Sequence, residues 1–311
     1  MHGFVMVPLD GSREALAALP VALGAARALD APVTLVRAVH APRTALTGRA
    51  HPLGVADVAR GMHDDADAEL RALAERAAAD GVAVDAVVLD GNDAAQLLLR
   101  YAEERGAALI VMTTRAAGAV GRMLLGSVAD RVMRAFVGPV ILVPPAAAAD
   151  RAADPTRPRA LRRVVVPLDG SPLALEIVDV ILASAALRRL EVVLFQAVVP
   201  MTVGAIMPAG GMLDMRSLDD DVEAARTALA PVADRLRAGG VTARVEVAAT
   251  GSPAGAIVDA ARGADADMIA MSTRGQGGLA RVALGSTADA VVRQASHPVL
   301  LLTPGEPSPG R

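Results

Sequence analysis

At 311 residues, with 53% of them hydrophobic, the chain is long enough for two domains, each with its own core. It contains no cysteine, and all 31 of its basic residues are arginine, which excludes disulfide frameworks, thiolate metal sites, thiol nucleophiles, a P-loop lysine and Schiff-base chemistry. A net charge of -3 and only four aromatic residues, Phe4, Tyr101, Phe136 and Phe195, argue against nucleic acid, which calls for a basic face or stacking rings.

The first residues, through Val7, carry no charged leader and meet Asp10 too early for a signal peptide. No run approaches the roughly 18 apolar residues of a membrane span. The expectation is therefore a cytoplasmic protein with no membrane partner.

Short β-branched runs then alternate with longer segments of helical period, the pattern of βα units around a buried parallel sheet. Strands are predicted over 4–7, 33–39, 82–89, 109–113 and 140–143, and helices over 12–29, 58–79, 94–104 and 127–136. Gly81 and Gly106 stand where a helix C-cap is expected, and Gly138-Pro139 stops the last helix. Pro144-Pro145, the alanines that follow, Pro155, Pro158 and alternating charges then read as a linker.

Beyond the linker the order begins again. Pro8-Leu9-Asp10-Gly11-Ser12 recurs as Pro167-Leu168-Asp169-Gly170-Ser171, 159 positions later. The same shift carries Thr114-Arg115 onto Thr273-Arg274, Gly126-Ser127 onto Gly285-Ser286, and Asp130 onto Asp289. A period this long marks a duplicated domain rather than a solenoid repeat. Strands are predicted over 163–166, 192–198, 241–248, 268–272 and 299–302, with a one-residue gain after Val241 and a one-residue loss before Met268. The fold class is α/β: two tandem doubly wound domains, each with a five-stranded parallel sheet of order 3-2-1-4-5. Domain boundaries fall at 1–145 and 161–305, with a linker over 146–160.

In such sheets ligands bind beyond the carboxyl ends of the strands where strand order reverses, here between strands one and four. That brings Asp10 or Asp169 opposite a loop that ends in Gly126-Ser127 or Gly285-Ser286 at a helix start, where unpaired N–H groups attract anions. A carboxylate on one side suits a sugar hydroxyl or a cation, and the loop on the other suits phosphate. The plainer reading is that Asp169 and Ser286 are helix caps. Arg115 and Arg274 either neutralise phosphate or are solvated. Segments 40–57 and 200–218 are either flaps over the crevice or long connections. The acidic runs His63-Asp64-Asp65-Ala66-Asp67 and Asp219-Asp220-Asp221 read as solvated helix openings, Met123 and Met133 as core fillers. No HExxH or GxSxG pattern supplies a hydrolase.

Copy two carries Ser272-x2-Gly275-x9-Gly285-Ser286, and copy one Thr113-x2-Ala116-x9-Gly126-Ser127. With the Asp after the first strand, this resembles the universal stress protein family, whose ATP-binding members carry G-x2-G-x9-G-[ST] after the fourth. The resemblance spans both domains, though copy two lacks the first glycine and copy one both loop glycines. It implies ATP, alone or with Mg or Mn, as the ligand. It further implies that Asp10 and Asp169 contact the nucleoside, that backbone near Val39 and Val198 contacts adenine, and that Ser272, Arg274, Gly275, Gly285, Ser286 and, in copy one, Gly126 and Ser127 line the ribose and phosphate side. The second domain is the expected binder, since Ala116 puts a methyl group where Gly275 allows close approach. Family members pair through the fifth strand, so an intrachain pseudo-dimer is implied, with a homodimer and an unidentified protein partner as further expectations. The function implied is regulatory and not enzymatic. Its rivals are an ATP-hydrolysing or adenylyl-transfer enzyme and an interaction scaffold with relic pockets.

Overall fold

A computed structural model describes residues 3–40, 55–78, 81–114, 125–144, 154–184, 187–200, 218–273 and 284–302. The chain divides into two units, Met1–Ala160 with Ser296–Arg311, and Leu161–Ala295. Most of the two long segments, 41–54 and 201–217, lies outside the described residues, as does Met123.

The first unit runs β1 (Phe4–Pro8), a 3-10 turn (Ala15–Ala17), α1 (Ala18–Leu29), β2 (Val33–Val39), α2 (Val55–Ala78), β3 (Val84–Asp90), α3 (Ala94–Arg105), β4 (Ala107–Thr113), α4 (Ser127–Ala135) and β5 (Pro139–Val143). These five strands pair in parallel in the order β3-β2-β1-β4-β5. Val5, Met6, Val7, Leu35, Val36, Ile110 and Leu142 are wholly buried, as continuous apolar strands covered by helices must be.

The second unit runs β6 (Arg163–Pro167), α5 (Pro172–Ala183), β7 (Glu191–Val198), α6 (Leu218–Ala238), β8 (Ala243–Ala249), α7 (Pro253–Gly263), β9 (Met268–Ser272) and α8 (Ser286–Gln294), its strands parallel in the order β9-β6-β7-β8. The α/β class and the tandem arrangement of parallel sheets are as the sequence pattern predicts. The last strand, β10 (Val299–Leu302), groups with the first unit and lies antiparallel against β5, Leu301 opposite Val140 and Leu300 opposite Ile141. Both strands are apolar along their whole length, and pairing them covers an edge that would otherwise template aggregation.

Three local departures have simple causes. The first α-helix starts at Ala18 instead of residue 12, because Pro20 has no N–H to donate and fits only within a first turn; a 3-10 turn bridges the gap. In copy two Pro172 stands at the first helical position after the N-cap Ser171, and α5 begins at once. The predicted one-residue gain and loss are not needed: Val33 pairs with Val84 and Val192 with Ala243, and Val5 with Leu109 and Val164 with Met268, all at the 159-residue offset. Asp265, at φ 48°, takes over the left-handed position that Gly106 holds at φ 72°, a conformation Asp tolerates better than most residues. The end of the linker packs on α1, where the Arg159 N–H donates to the Pro20 carbonyl at 2.7 Å. Gly24 admits this approach, since a Cβ there would lie 1.9 Å from the Arg159 oxygen.

Candidate functional site

Each unit presents the same turn at the carboxyl end of its first strand. Gly11 and Gly170 adopt φ +85° and +79°, which turns the chain sharply out of the sheet and leaves the preceding Asp exposed. Asp10 Oδ1 accepts the Ser12 N–H at 2.9 Å and its hydroxyl at 2.5 Å. Asp169 Oδ1 accepts the Ser171 N–H at 3.0 Å. In copy two the helix cap is Ser171, whose Oγ accepts from Ala174, and in copy one Ser12 Oγ accepts from Ala15 at the 3-10 turn, both at 3.1 Å. The aspartates therefore hold the turn, and capping is not their role.

Beside β1 and β6 stand β4 and β9, whose ends begin the Gly-rich loops. The Gly126 N–H donates to the Thr114 carbonyl at 2.8 Å, and the Gly285 N–H to the Thr273 carbonyl at 2.8 Å. Each loop is thus closed at its base over buried threonines. Gly126 and Gly285 are the N-caps of α4 and α8, without a side-chain cap bond, and Ser127 and Ser286 are exposed first residues that do not cap. The first N–H groups of both helices thus have no side-chain cap. One turn in, Asp130 pairs with Arg134 at 3.0 Å and Asp289 with Arg293 at 2.8 Å, offsetting carboxylates that would otherwise oppose an anion there.

Ser272 is buried at the end of β9. Arg115, Ala116, Arg274 and Gly275 lie outside the described residues. The Val39 carbonyl accepts from Gly91 at 3.1 Å and that of Val198 from Thr250 at 2.8 Å, so both backbones are fixed by the third strand of their sheet. On α3, Asp93 caps the helix by accepting from Gln96 at 3.1 Å and takes both Arg131 bonds from α4, at 2.8 and 2.9 Å. The Gln96 bond first, then Arg131, holds its carboxyl below the ordinary range. Among the described residues no cluster of three or more acidic or His side chains could hold a metal.

Sequence reasoning passed over Arg37. Its guanidinium pairs with Glu69 of α2 at 2.5 Å and lies against the first turn, where a Cβ on Gly11 would be 2.6 Å from Nη2. A lone cation in the apolar run of β2 was the available signal. The corresponding residue in copy two is Gln196, and the space around Gly170 is open. The two crevices share a frame but differ in charge.

The model of the Universal stress protein family matches this chain twice, over residues 1–144 and 160–303. A universal stress protein of Mycolicibacterium smegmatis is 28% identical over 313 residues, 96% of this chain and 97% of its own length. One from Methanocaldococcus jannaschii is 34% identical over 142 residues, 45% of this chain and 81% of its own length. The crystal structure of a universal stress protein from Archaeoglobus fulgidus covers 97% of this chain and 96% of its own, with TM-score 0.65 at 19% identity, a likeness of fold. No helix among the described residues is long and apolar enough to cross a membrane.

Proposed function

Because this chain belongs to the universal stress protein family, we propose that it binds an adenine nucleotide in its second domain and acts as a regulatory module of the stress response. The ligand is ATP, alone or with Mg or Mn. The observation that carries this reading is the twice-repeated frame: a carboxylate held on a tight turn, beside a loop closed by a Gly-to-Thr backbone bond at the start of a helix with no side-chain cap. Asp169 takes the ribose, the N–H groups at Ser286 and in the loop at Gly275 take the phosphates, and backbone near Val198 takes the base.

The second domain is the better site for two reasons. Gly275 stands where copy one has Ala116, and Gln196 leaves the turn at Gly170 open where Arg37 lies on Gly11. The repeats, 1–145 and 161–305, work as a covalent pair joined through their fifth strands, an arrangement supported by the pairing of β5 with β10. A binding module fits better than an enzyme: Asp10 and Asp169 are engaged as acceptors within their own turns, a poor posture for a general base. Mass spectrometry of small molecules released from the freshly purified, denatured protein tests this. ATP or ADP is expected at no more than one equivalent per chain, and a chain that arrives empty and takes up no added ATP would sink the reading.

A further inference from the structure

Away from the turn and the Gly-rich loop, the second unit carries a groove of about 550 Å³ between β8 and α7. One wall is β8 from residue 245 to its end, followed by Thr250; Phe195 of β7 also lines it, and α7 contributes Gly255, Ala256, Asp259 and Ala260. The groove exists because α7 is small on this side. At the 159-residue offset, α3 of the first unit has Gln96, Leu97 and Tyr101 in place of Gly255, Ala256 and Ala260. Leu97 there packs on the strand end so closely that a Cβ on Gly91 would lie 2.9 Å from its Cδ1. The first copy carries larger side chains at all three positions.

Two properties of this groove specify what it takes. β8 stands last in its sheet and pairs with β7 alone among the described residues, so its outer edge offers a row of backbone donors and acceptors along six residues, roughly 20 Å at 3.3 Å per residue. An edge of that length suits an extended chain, which can pair along all of it. Of the charged residues lining it, Glu246 is paired with Arg244, and Asp259 with Arg262 at 2.9 Å. Arg226, exposed on α6, has no ion pair among the described residues. The unneutralised charge at the rim is therefore positive.

We propose that β8 is a docking edge for an extended acidic peptide of a partner protein, added as a further strand, with small apolar side chains entering the groove over Ala256 and Ala260 and a carboxylate meeting Arg226. Main-chain pairing supplies most of the affinity, and the small residues of α7 supply selectivity. The groove lies away from the turn and the Gly-rich loop and adjoins the base side of the crevice at Thr250, whose N–H donates to the Val198 carbonyl; the peptide is tested without nucleotide, so each reading can fail without the other.

The test uses the full chain and a fluorescein-labelled, end-capped hexapeptide alternating valine and glutamate, followed by anisotropy. Saturable one-to-one binding is expected, weakened at least tenfold by Ala256→Leu and by Arg226→Glu, and at least tenfold weaker for the lysine analogue or for a peptide N-methylated at alternate amides. Amide exchange in β8 should slow on binding. Absence of saturation, or affinity indifferent to Ala256→Leu, overturns the proposal. Equal binding of the N-methylated peptide overturns it by marking a plain carboxylate site, and self-association of the wild type that Ala256→Leu abolishes overturns it by naming a second copy as occupant. Arg226→Glu, on an exposed helix face, gives the answer should Ala256→Leu fail to fold.

Discussion

The Gly285 N–H donates to the Thr273 carbonyl at 2.8 Å, tying the start of α8 to the end of β9 and closing the Gly-rich loop at its base. Space there favours a glycine. Its φ of -59° is open to any residue, but a Cβ would lie 3.3 Å from the Thr273 oxygen. Gly285→Ala should shift the loop base by a few tenths of an ångström and weaken ATP binding by about tenfold, or about 1.4 kcal/mol, with little change in melting temperature. Calorimetry beside a thermal scan checks this; unchanged affinity would mean that the loop base does not set the site.

Asp169 and Ser171 stand two residues apart and should separate cleanly on mutation. On the proposed reading, Asp169→Ala should lose a charge-assisted bond to the ribose, about 1.5 to 3 kcal/mol of binding, and leave the cap of α5 in place. Ser171→Ala removes that cap, the 3.1 Å bond from Ala174, and should cost about 1 kcal/mol of stability with ATP affinity held. The opposite pattern would assign the nucleoside contact elsewhere.

Leu301 and Val140 are register partners, each 1% exposed. Leu301→Asp buries a charge with nothing to compensate it and should cost about 3 to 5 kcal/mol, while Leu301→Val should cost less than about 1.5. Urea midpoints distinguish the two. If the aspartate variant unfolds with the wild type, β10 contributes nothing to holding β5.

His63 of α2 lies 2.9 Å from an Asp90 oxygen at the end of β3. That hydrogen bond, opposed by desolvation and aided by the charges of Asp90, Asp64 and Asp67, raises its pKa above the ordinary 6.5. Since the folded value is the higher one, the stabilisation is complete below 6.5 and is lost as pH rises through the raised value. The melting-temperature gap between wild type and His63→Gln should therefore be largest below pH 6.5 and shrink as pH rises above it. A gap that grows with pH contradicts the pairing.

The strands were legible because their β-branched runs are short and bounded by turn residues, and the duplication shows the same run of elements twice. The start of α1 was not legible, because Pro20 can sit in a first turn as well as break a helix. Asp265 concealed the continuity of the repeat by doing in the left-handed region what glycine usually does. The turns at Asp10 and Asp169 and the starts of α4 and α8 could be placed from the motif. The ion pair of Arg37 with Glu69 could not, since it joins residues from β2 and α2 that only the fold brings together. The groove beside β8 was present in the sequence as Gly255, Ala256 and Ala260 against Gln96, Leu97 and Tyr101, but small residues acquire meaning only when the neighbouring edge strand is seen to be open.

The central claim is that nucleotide binds in one copy and that this copy is the second. Titration of the full chain with ATP by calorimetry, on wild type, Asp10→Ala and Asp169→Ala, tests it most directly. One strong site per chain is predicted, kept in Asp10→Ala and weakened at least tenfold in Asp169→Ala. Two equal sites, no site, or a single site lost only with Asp10 would contradict the account.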